Sequence, residues 1–238
     1  MMFNSQAIVR KAINNATTQF DKLGHVGNDL ANYNTYGYKS VRFEQMLRED
    51  GYVMGAHRTD CAQGSIRITE NPYDVAINGA GYIPVTSEDG EVQYTRDGSF
   101  VQGKDGYLYT KDGWLVGDGI KIPSNGYKFT INPNGDVYTY DEAGALPRRV
   151  GTIPLVGFAN PERLEQGTNN KMKVTEDSGE PELIQNHNSI KQHAIENSNV
   201  DVYNAVNEML RLNASMIASM RLLKVADDMY NKGINIRE

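Results

Sequence analysis

The histidines and the single cysteine are the residues of this 238-residue chain best suited to bind a metal or attack a substrate. His25, His57, His187 and His193 show neither the H-x-x-x-H nor the HExxH spacing that places two ligands on one helix face. Cys61 has no second thiol, which excludes a disulfide within the chain and a zinc site built from several thiolates. We therefore expect no metal site and no metal cofactor.

Other motifs of catalysis and nucleotide binding are also missing. The chain contains no G-x-S-x-G elbow for a nucleophilic serine. Residues 78–81 (NGAG) lack the Lys-Ser/Thr ending of a phosphate loop, and residues 132–136 (NPNGD) put glycine at position 4 rather than 6 of a calcium loop. Both segments are predicted to be turns. We expect no catalytic or cofactor-binding residue and no enzyme. A muramidase with two carboxylates about 5–9.5 Å apart is the enzymatic alternative left open.

The composition favours a folded protein that binds no nucleic acid and inserts into no membrane. Apolar residues make up 39% and charged residues 23%, which is enough for a packed core. The net charge of −6 gives no basic face for nucleic acid. The uncharged stretch Leu212–Met220 is far shorter than the ~20 residues that span a bilayer. Residues 1–15 lack the apolar core of a secretory signal, so we expect no cleaved signal peptide.

Glycine and proline are concentrated in the middle of the chain, which predicts a helix, a β-rich region and a second helix. Residues 198–232 contain neither residue type, and residues 1–30 contain only two glycines. The apolar stripe of the first predicted helix comprises Val9, Ile13, Ala16, Phe20, Leu23, Gly27 and Leu30. The stripe of the second comprises Val202, Val206, Met209, Asn213, Met216, Met220, Leu223, Asp227, Tyr230 and Ile234. Both follow alternating steps of four and three, which is the spacing of a coiled-coil seam.

The second helix is predicted to start at Ser198, a good N-cap with Asp201 three residues later, and to end at Gly233. Two amphipathic stripes can form a helical hairpin packed on its own domain, or they can contact other chains. Apolar residues outside the stripes, such as Leu210 and Leu222, favour a bundle of many chains.

Short strand-like runs separated by Asp-Gly turns predict an antiparallel meander or small barrel in the centre. These runs are Asp74–Asn78, Tyr82–Thr86, Val92–Thr95, Tyr107–Thr110, Trp114–Val116, Phe129–Asn132 and Val137–Tyr140. Residues 160–190 are polar and rich in asparagine, which is typical of surface loops.

Five segments, in order along the chain, resemble motifs of the bacterial flagellar rod and hook axial proteins. Leu30–Lys39 resembles LAN-x-x-T-x-GYK, and Thr69–Tyr82 resembles NPLDVAI-x-G-x-GFF. Tyr94–Phe100 is similar to YTR-x-G-x-F, and Gly106–Gly117 is similar to G-x-L-x-T-x-x-G-x-x-V-x-G. Glu196–Asp201 resembles the end of LE-x-SNVD. Together these segments identify the chain as a member of that family.

The resemblance implies an α+β fold in which paired, coiled-coil-like terminal helices flank an extended segment and a central antiparallel β-rich domain. The expected parts are an N-terminal helix (1–35) paired with 200–236, an extended connecting segment (36–70), the central domain (71–185), a return segment (186–199) and a C-terminal helix (200–238).

The resemblance also implies a structural subunit of the flagellar basal-body rod that polymerises helically and transmits torque from motor to hook across the periplasm. The expected partners are further copies of the chain in a helical tube, other rod proteins, the hook, the rings around the rod and the flagellar type III export apparatus. Length and the stretch 116–120 favour the proximal-rod branch of the family, with the distal-rod branch second. Outside the family, the alternative is an adhesin or carbohydrate-binding β-module with a helical stalk.

The residues expected to mediate assembly lie in the two stripes and in the motifs beside them. They are Val9, Ile13, Phe20, Leu23, Leu30, Asn32, Thr35, Gly37, Tyr38, Lys39, Ser198, Asn199, Val200, Asp201, Val206, Met209, Met216, Met220 and Leu223. Gly37 is expected to adopt a positive φ where the chain turns out of the helix, because glycine does so without Cβ strain. His193 stands where the family has glycine, and Ile195 where it has leucine.

Overall fold

The structure, a computed structural model, describes residues 5–123, 128–142, 146–185 and 188–235, and His187 lies outside these ranges. The chain divides into two compact units. Unit 1 comprises Met1–Asn32, Val41–Arg58 and Val200–Glu238. Unit 2 comprises Tyr33–Ser40 and Thr59–Asn199.

Unit 1 contains two helices and a hairpin. The helices are α1 (Ser5–Ala31) and α2 (Val202–Asn235). Strands β1 (Val41–Leu47) and β2 (Val53–Thr59), whose last residue belongs to unit 2, form a two-stranded sheet. The hairpin turn closes where Arg48 N donates to Tyr52 O at 2.8 Å, around the Asp50-Gly51 pair.

The prediction of paired, coiled-coil-like helices is wrong, although the α+β class agrees with the structure. A coiled coil buries the residues of its apolar stripe, but Phe20 is 53% exposed and Met220 is 49% exposed. The side chains that α1 buries include the polar Thr18 and Gln19. Over the residues whose burial the structure describes, the stripes therefore form no continuous seam. Spacing alone does not show whether an apolar face is covered by its own chain.

Two polar contacts join the helices. Gln19 Nε2 donates to Ser215 Oγ at 3.0 Å, and Lys22 forms an ion pair with Glu208. Leu212 is the buried apolar side chain of α2 among its described residues. Two polar contacts that involve partly exposed groups stabilise a helix pair much less than a continuous apolar seam does.

The predicted extended segment also differs from the structure, since it contains the β1–β2 hairpin. An Asp-Gly pair favours a tight turn, and Gly51 has a φ of +80° there. The start and stop signals at Ser198 and Gly233 do not coincide with the observed ends of the second helix. It begins at Val202, where Asn204 N donates to the capping carboxylate of Asp201 at 3.1 Å, and it continues past Gly233.

Unit 2 is built from short strands in antiparallel pairs. They are β3 (Ile66–Ile68), β4 (Val75–Ile77), β5 (Ile83–Thr86), β6 (Val92–Thr95), β7 (Val101–Gln102), β8 (Leu108–Tyr109), β9 (Leu115–Val116), β10 (Lys128–Ile131), β11 (Asp136–Tyr140), β12 (Arg148–Thr152), β13 (Val156–Gly157), β14 (Glu165–Gln166), β15 (Met172–Lys173), β16 (Glu182–Leu183), β17 (Ile190–Gln192) and β18 (Ala194–Glu196). Each strand-like run proposed from the sequence overlaps one of them. Short 3-10 helices occupy Pro161–Arg163 and Thr168–Asn170.

The largest sheet of unit 2 has the order β14-β15-β6-β5-β9-β8-β7, and β10-β11-β12 form a three-stranded sheet. Two-stranded pairs join β13 to β16, β17 to β4 and β18 to β3. The apolar core between them includes Val75, Ile77, Ile83, Val85, Phe100, Leu108, Val116, Ile120, Val137, Ile153, Leu155 and Ile190. The β18–β3 pair sets Glu196 opposite Ile66, and β6 ends one residue before Arg96. These short strands thereby bring charged motif residues together.

Candidate functional site

Three charged residues from three of the motifs meet inside unit 2. Lys39 Nζ lies 2.7 Å from Glu196 Oε1, and Arg96 Nε lies 2.8 Å from Glu196 Oε2. Lys39 and Glu196 are fully buried, and Arg96 is 4% exposed. We call Lys39, Arg96 and Glu196 the ion cluster.

Backbone groups satisfy the remaining hydrogen-bonding capacity of the ion cluster. The lysine also donates to Ala62 O at 2.7 Å. The arginine donates to Gly81 O at 2.8 Å and to Gly79 O at 2.9 Å. The glutamate accepts from Gly64 N at 2.8 Å. The partial charges of these groups compensate for the water that the buried ions have lost.

The electrostatics of the ion cluster balance burial against pairing. Burial lowers the pKa of Lys39, and the adjacent Glu196 carboxylate opposes that change by stabilising the ammonium. Because the cluster has two cations and one anion, loss of the carboxylate would leave both cations buried without a counter-ion. Breaking a buried ion pair in this way typically costs about 3–5 kcal/mol of stability.

Gly37 has the positive φ that the sequence predicts, at +64°. A Cβ at this position would collide with the backbone of Arg96 and Asp97. The Gly37 amide donates to Glu196 O at 2.8 Å, which brings this peptide against the same motifs as the ion cluster. Both the conformation and the close approach therefore require glycine.

The residues around Gly37 make contacts within their own units. The hydroxyl of Tyr36 accepts from Arg67 Nη2 at 2.7 Å, and its ring lies 5.3 Å from Lys111 Nζ. Tyr38 is buried. Thr35, which is half-buried, provides the carbonyl that accepts from Tyr38 N at 3.3 Å. Asn32 in unit 1 is half-buried, and its Nδ2 donates to Asn28 O at 2.9 Å.

The motif ahead of α2 contributes a hydrogen-bonding amide. Asn199 Oδ1 accepts from Ser40 N at 2.7 Å. Ser198 and Val200 are half-buried, and Asp201 is the exposed cap of α2.

His193 has a φ of +57°, between β17 and β18. Glycine reaches this region more readily than histidine, so the glycine of the family motif suits the backbone found here. His193 O accepts from Thr69 N at 2.7 Å, which ties this bend to the end of β3.

The stripe residues occupy unit 1 and are only partly covered. Four of them, Ile13, Phe20, Val206 and Met220, expose about half of their surface, and Met216 is half-buried. Half-buried as well are Val9, Leu23, Leu30, Met209 and Leu223. The structure thus places the stripes in one unit and the ion cluster in the other.

Three functional candidates were missed by sequence reasoning. Arg96 and Glu196 lie within recognised motifs, and that position was the available signal. Asp29 is buried at the end of α1, where its Oδ1 accepts from Val41 N at 3.2 Å. Nothing in its local sequence distinguishes it from an exposed helical aspartate.

Across the ranges that the structure describes, no group of three or more His, Cys, Asp or Glu residues is placed to hold a metal ion. No helix within those same ranges is both long and apolar enough to cross a membrane.

Comparison with known proteins gives a consistent family. Residues 76–139 match the family model described as "Flagellar hook protein FlgE/F/G D1 domain". The flagellar basal-body rod protein FlgG of Caulobacter vibrioides is 30% identical, over 89% of this chain and 92% of its own length. FlgG of Bacillus subtilis is 28% identical, over 91% of this chain and 93% of its own. The rod protein FlgF of Caulobacter vibrioides is 33% identical over 60% of this chain and 61% of its own.

Proposed function

We infer the function from this premise: the chain belongs to the flagellar rod and hook axial protein family, and it is a structural protein of the flagellar basal-body rod rather than an enzyme. We propose that it polymerises helically into the rod and transmits torque from the motor to the hook. The adhesin and muramidase alternatives lose their basis, since neither belongs to this family.

The observation that carries the proposal is the exposed apolar surface of the two terminal helices. Phe20 of α1 and Met220 of α2 expose about half of their surface, and Leu222 is 70% exposed. Large exposed apolar surfaces on soluble proteins mark sites of protein association. Unlike surfaces that meet head to tail without closing a ring generate a helix.

The same geometry supports a mechanism for torque transmission. Each subunit would bury apolar side chains of α1 and α2 against its neighbours. Full burial of a large side chain is worth roughly 1.5–3 kcal/mol, and a side chain that is already half covered would contribute about half of that. Rotation of one subunit against the next would have to expose many such side chains together. A tube built this way resists slippage.

The position of the subunit along the rod is a further part of the proposal. Relatives named FlgG match over 86–95% of this chain, whereas the FlgF relative matches over 60%. The fuller coverage supports the distal segment, to which FlgG corresponds, over the proximal segment favoured by the sequence motifs. Neighbouring rod proteins, the hook and the surrounding rings would be its partners there, and the type III export apparatus would deliver it without a cleaved signal peptide.

The test is electron cryotomography of a strain that lacks the gene for this chain. Because the rod grows outward, loss of a distal subunit should leave a shortened rod, and loss of a proximal subunit should leave none. Expression of the chain should restore full-length rods and swimming. Absence of the chain from purified basal bodies, or intact rods in the deletion strain, would contradict the proposal.

A further inference from the structure

The polypeptide passes between the two units four times, and the unit 2 ends of three of these passages lie close together. They follow or precede Ser40, Thr59 and Asn199. Asp60 N donates to Ser40 O at 2.8 Å, and Ser40 N donates to Asn199 Oδ1 at 2.7 Å. Asn199 Nδ2 donates to Asp60 O at 2.8 Å. We call Ser40, Asp60 and Asn199 the junction clamp.

The side chain of Asn199 suits the centre of this clamp. Its oxygen accepts from one segment while its NH2 group donates to the other, at Asp60 O and at Ala62 O (3.0 Å). Aspartate would lack the two donors, and serine would offer one hydroxyl in place of the amide's two ends. An amide of this length therefore joins three segments that are distant in sequence.

The ion cluster joins the same three chain segments a second time, through residues near the junction clamp. Lys39 comes from the segment of Ser40, Ala62 from the segment of Asp60, and Glu196 from the segment of Asn199. Lys39 Nζ contacts both Ala62 O and Glu196 Oε1 at 2.7 Å. The three segments are therefore held together by two sets of hydrogen bonds. One set is made by the side-chain amide of Asn199, and the other by the buried ammonium of Lys39.

Without the junction clamp, tension on these segments would act directly on very short strands. β18 and β3 pair over three residues each, so a pull on the chain at residue 199 would separate their hydrogen bonds one after another. The clamp bonds lie beyond the end of that pair, where the pull would first arrive. With the three segments bound together, the force is shared between them before it reaches the strands.

We propose that the junction clamp transmits force between the chain segments of unit 1 and the β-rich unit, and that Asn199 is the positioning residue at its centre. This inference rests on the proposed rod function. Asn199 is then needed for assembly or rotation of the rod and not for folding of the β-rich unit.

The first test is amide hydrogen exchange in the full-length chain. In Asn199→Ala, the amides of Ser40 and Asp60 should exchange at least about tenfold faster, because three hydrogen bonds of ordinary strength are lost. The amides of Val85 and Val116, in the β-sheet core, should keep their protection. Unchanged rates at Ser40 and Asp60 would overturn the proposal.

The matched control is Asn197→Ala. Asn197 lies on the same segment, but its side-chain Nδ2 donates to a single side chain, Ser65 Oγ at 3.0 Å. This variant should leave the exchange of Ser40 and Asp60 unchanged. Asn199→Asp preserves size and the acceptor for Ser40 while aiming a carboxylate at two carbonyl oxygens. Loss of core protection in both Asn199 variants would assign the residue to folding and overturn the proposal.

The second test measures swimming in the deletion strain, in ordinary and viscous medium. Wild type and Asn197→Ala should restore swimming, while Asn199→Ala should fail, most clearly at high viscosity. If Asn199→Ala swims as wild type does in both media, the clamp carries no needed force and the inference is wrong. If wild type itself fails to restore swimming, the rod function is wrong, which is a separate outcome.

Discussion

At the scale of single residues, the ion cluster shows how a structural protein uses buried charge. Glu196 is the anion that two buried cations share. Replacing a buried ionic group by an apolar one is often tolerated, but removing one partner leaves an uncompensated charge. The three residues come from separate motifs, so their pairing defines one arrangement of the segments that carry them.

We predict that Glu196→Gln destabilises unit 2 by about 3–5 kcal/mol at neutral pH. Chemical denaturation followed by the fluorescence of Trp114, the single tryptophan, which lies beside the core of unit 2, measures the change. Glu208→Gln, which breaks a half-exposed pair with Lys22, should cost about 0–1 kcal/mol. A loss below about 1 kcal/mol for Glu196→Gln would show that the cluster adds no stability.

Relative to the wild type, Glu196→Gln should lose less stability at pH 9 than at pH 7. Burial lowers the pKa of Lys39 and the glutamate raises it, so in Glu196→Gln that pKa falls further. Between the folded and unfolded pKa values the unfolded chain binds more protons, so the free energy of unfolding of the variant rises with pH there. Repeating the denaturation at both pH values checks this. Equal losses would contradict a protonated, buried Lys39.

Gly37 allows a second test at this scale, because it combines a positive φ with close packing. Gly37→Ala should cost more than the roughly 1–3 kcal/mol of backbone strain alone, since the new Cβ meets the backbone of Arg96 and Asp97. Gly90→Ala is the matched control, with a φ of +84° and no atom within 4 Å of the added Cβ. Thermal unfolding compares the two. Equal shifts in melting temperature would remove the packing argument.

At the scale of elements, the helices carry apolar surface that their own chain leaves uncovered. Along α2 the exposed apolar residues include Tyr203 and Leu222, which lie outside the predicted stripe. A helix that is apolar on several sides needs neighbours on several sides. The helices are therefore expected to affect assembly more than they affect the fold of the free subunit.

We predict that Met220→Lys abolishes rod assembly without lowering the melting temperature of the purified chain. Met220 is already 49% exposed, but in an apolar contact an unpaired ammonium costs several kcal/mol. Leu212→Lys, at the 7% exposed position of the same helix, should instead lower the melting temperature. Swimming assays and differential scanning calorimetry measure the two effects. A normal rod with Met220→Lys would contradict the assignment of the stripe.

At the scale of the whole molecule, apolar burial is unevenly divided. Unit 2 holds a large apolar cluster, whereas the buried positions described in unit 1 are chiefly polar: Thr18, Gln19, Asp29 and the apolar Leu212. Since apolar burial is the main stabilising contribution, the two units should differ in local stability.

We predict that limited proteolysis of a verified monomer cleaves unit 1 before unit 2. The segments 1–32, 41–58 and 200–238 should be cut first, leaving a resistant fragment of about residues 59–199. Mass spectrometry of the fragments identifies the cuts. Equal resistance of the terminal segments and the β-rich unit would mean that the helices are stable without neighbouring subunits.

The sequence by itself determined the order of helix, β-rich region and helix, the turn positions and the family. These depend on local patterns, because helical periodicity, Asp-Gly pairs and contiguous motifs act over a few residues. The positive φ of Gly37 belongs to the same group, since it followed from one residue type at a chain turn.

Only the tertiary structure decided which faces are covered and which charges meet. The apolar stripes are compatible with a seam within the chain or with a surface for neighbours, and the exposure of Phe20 and Met220 argues against a continuous seam over the described residues. Lys39 and Arg96 lie 157 and 100 positions from Glu196 in sequence. No local pattern reports such a pairing, because it depends on how the short strands β3, β6 and β18 bring distant segments into one interior.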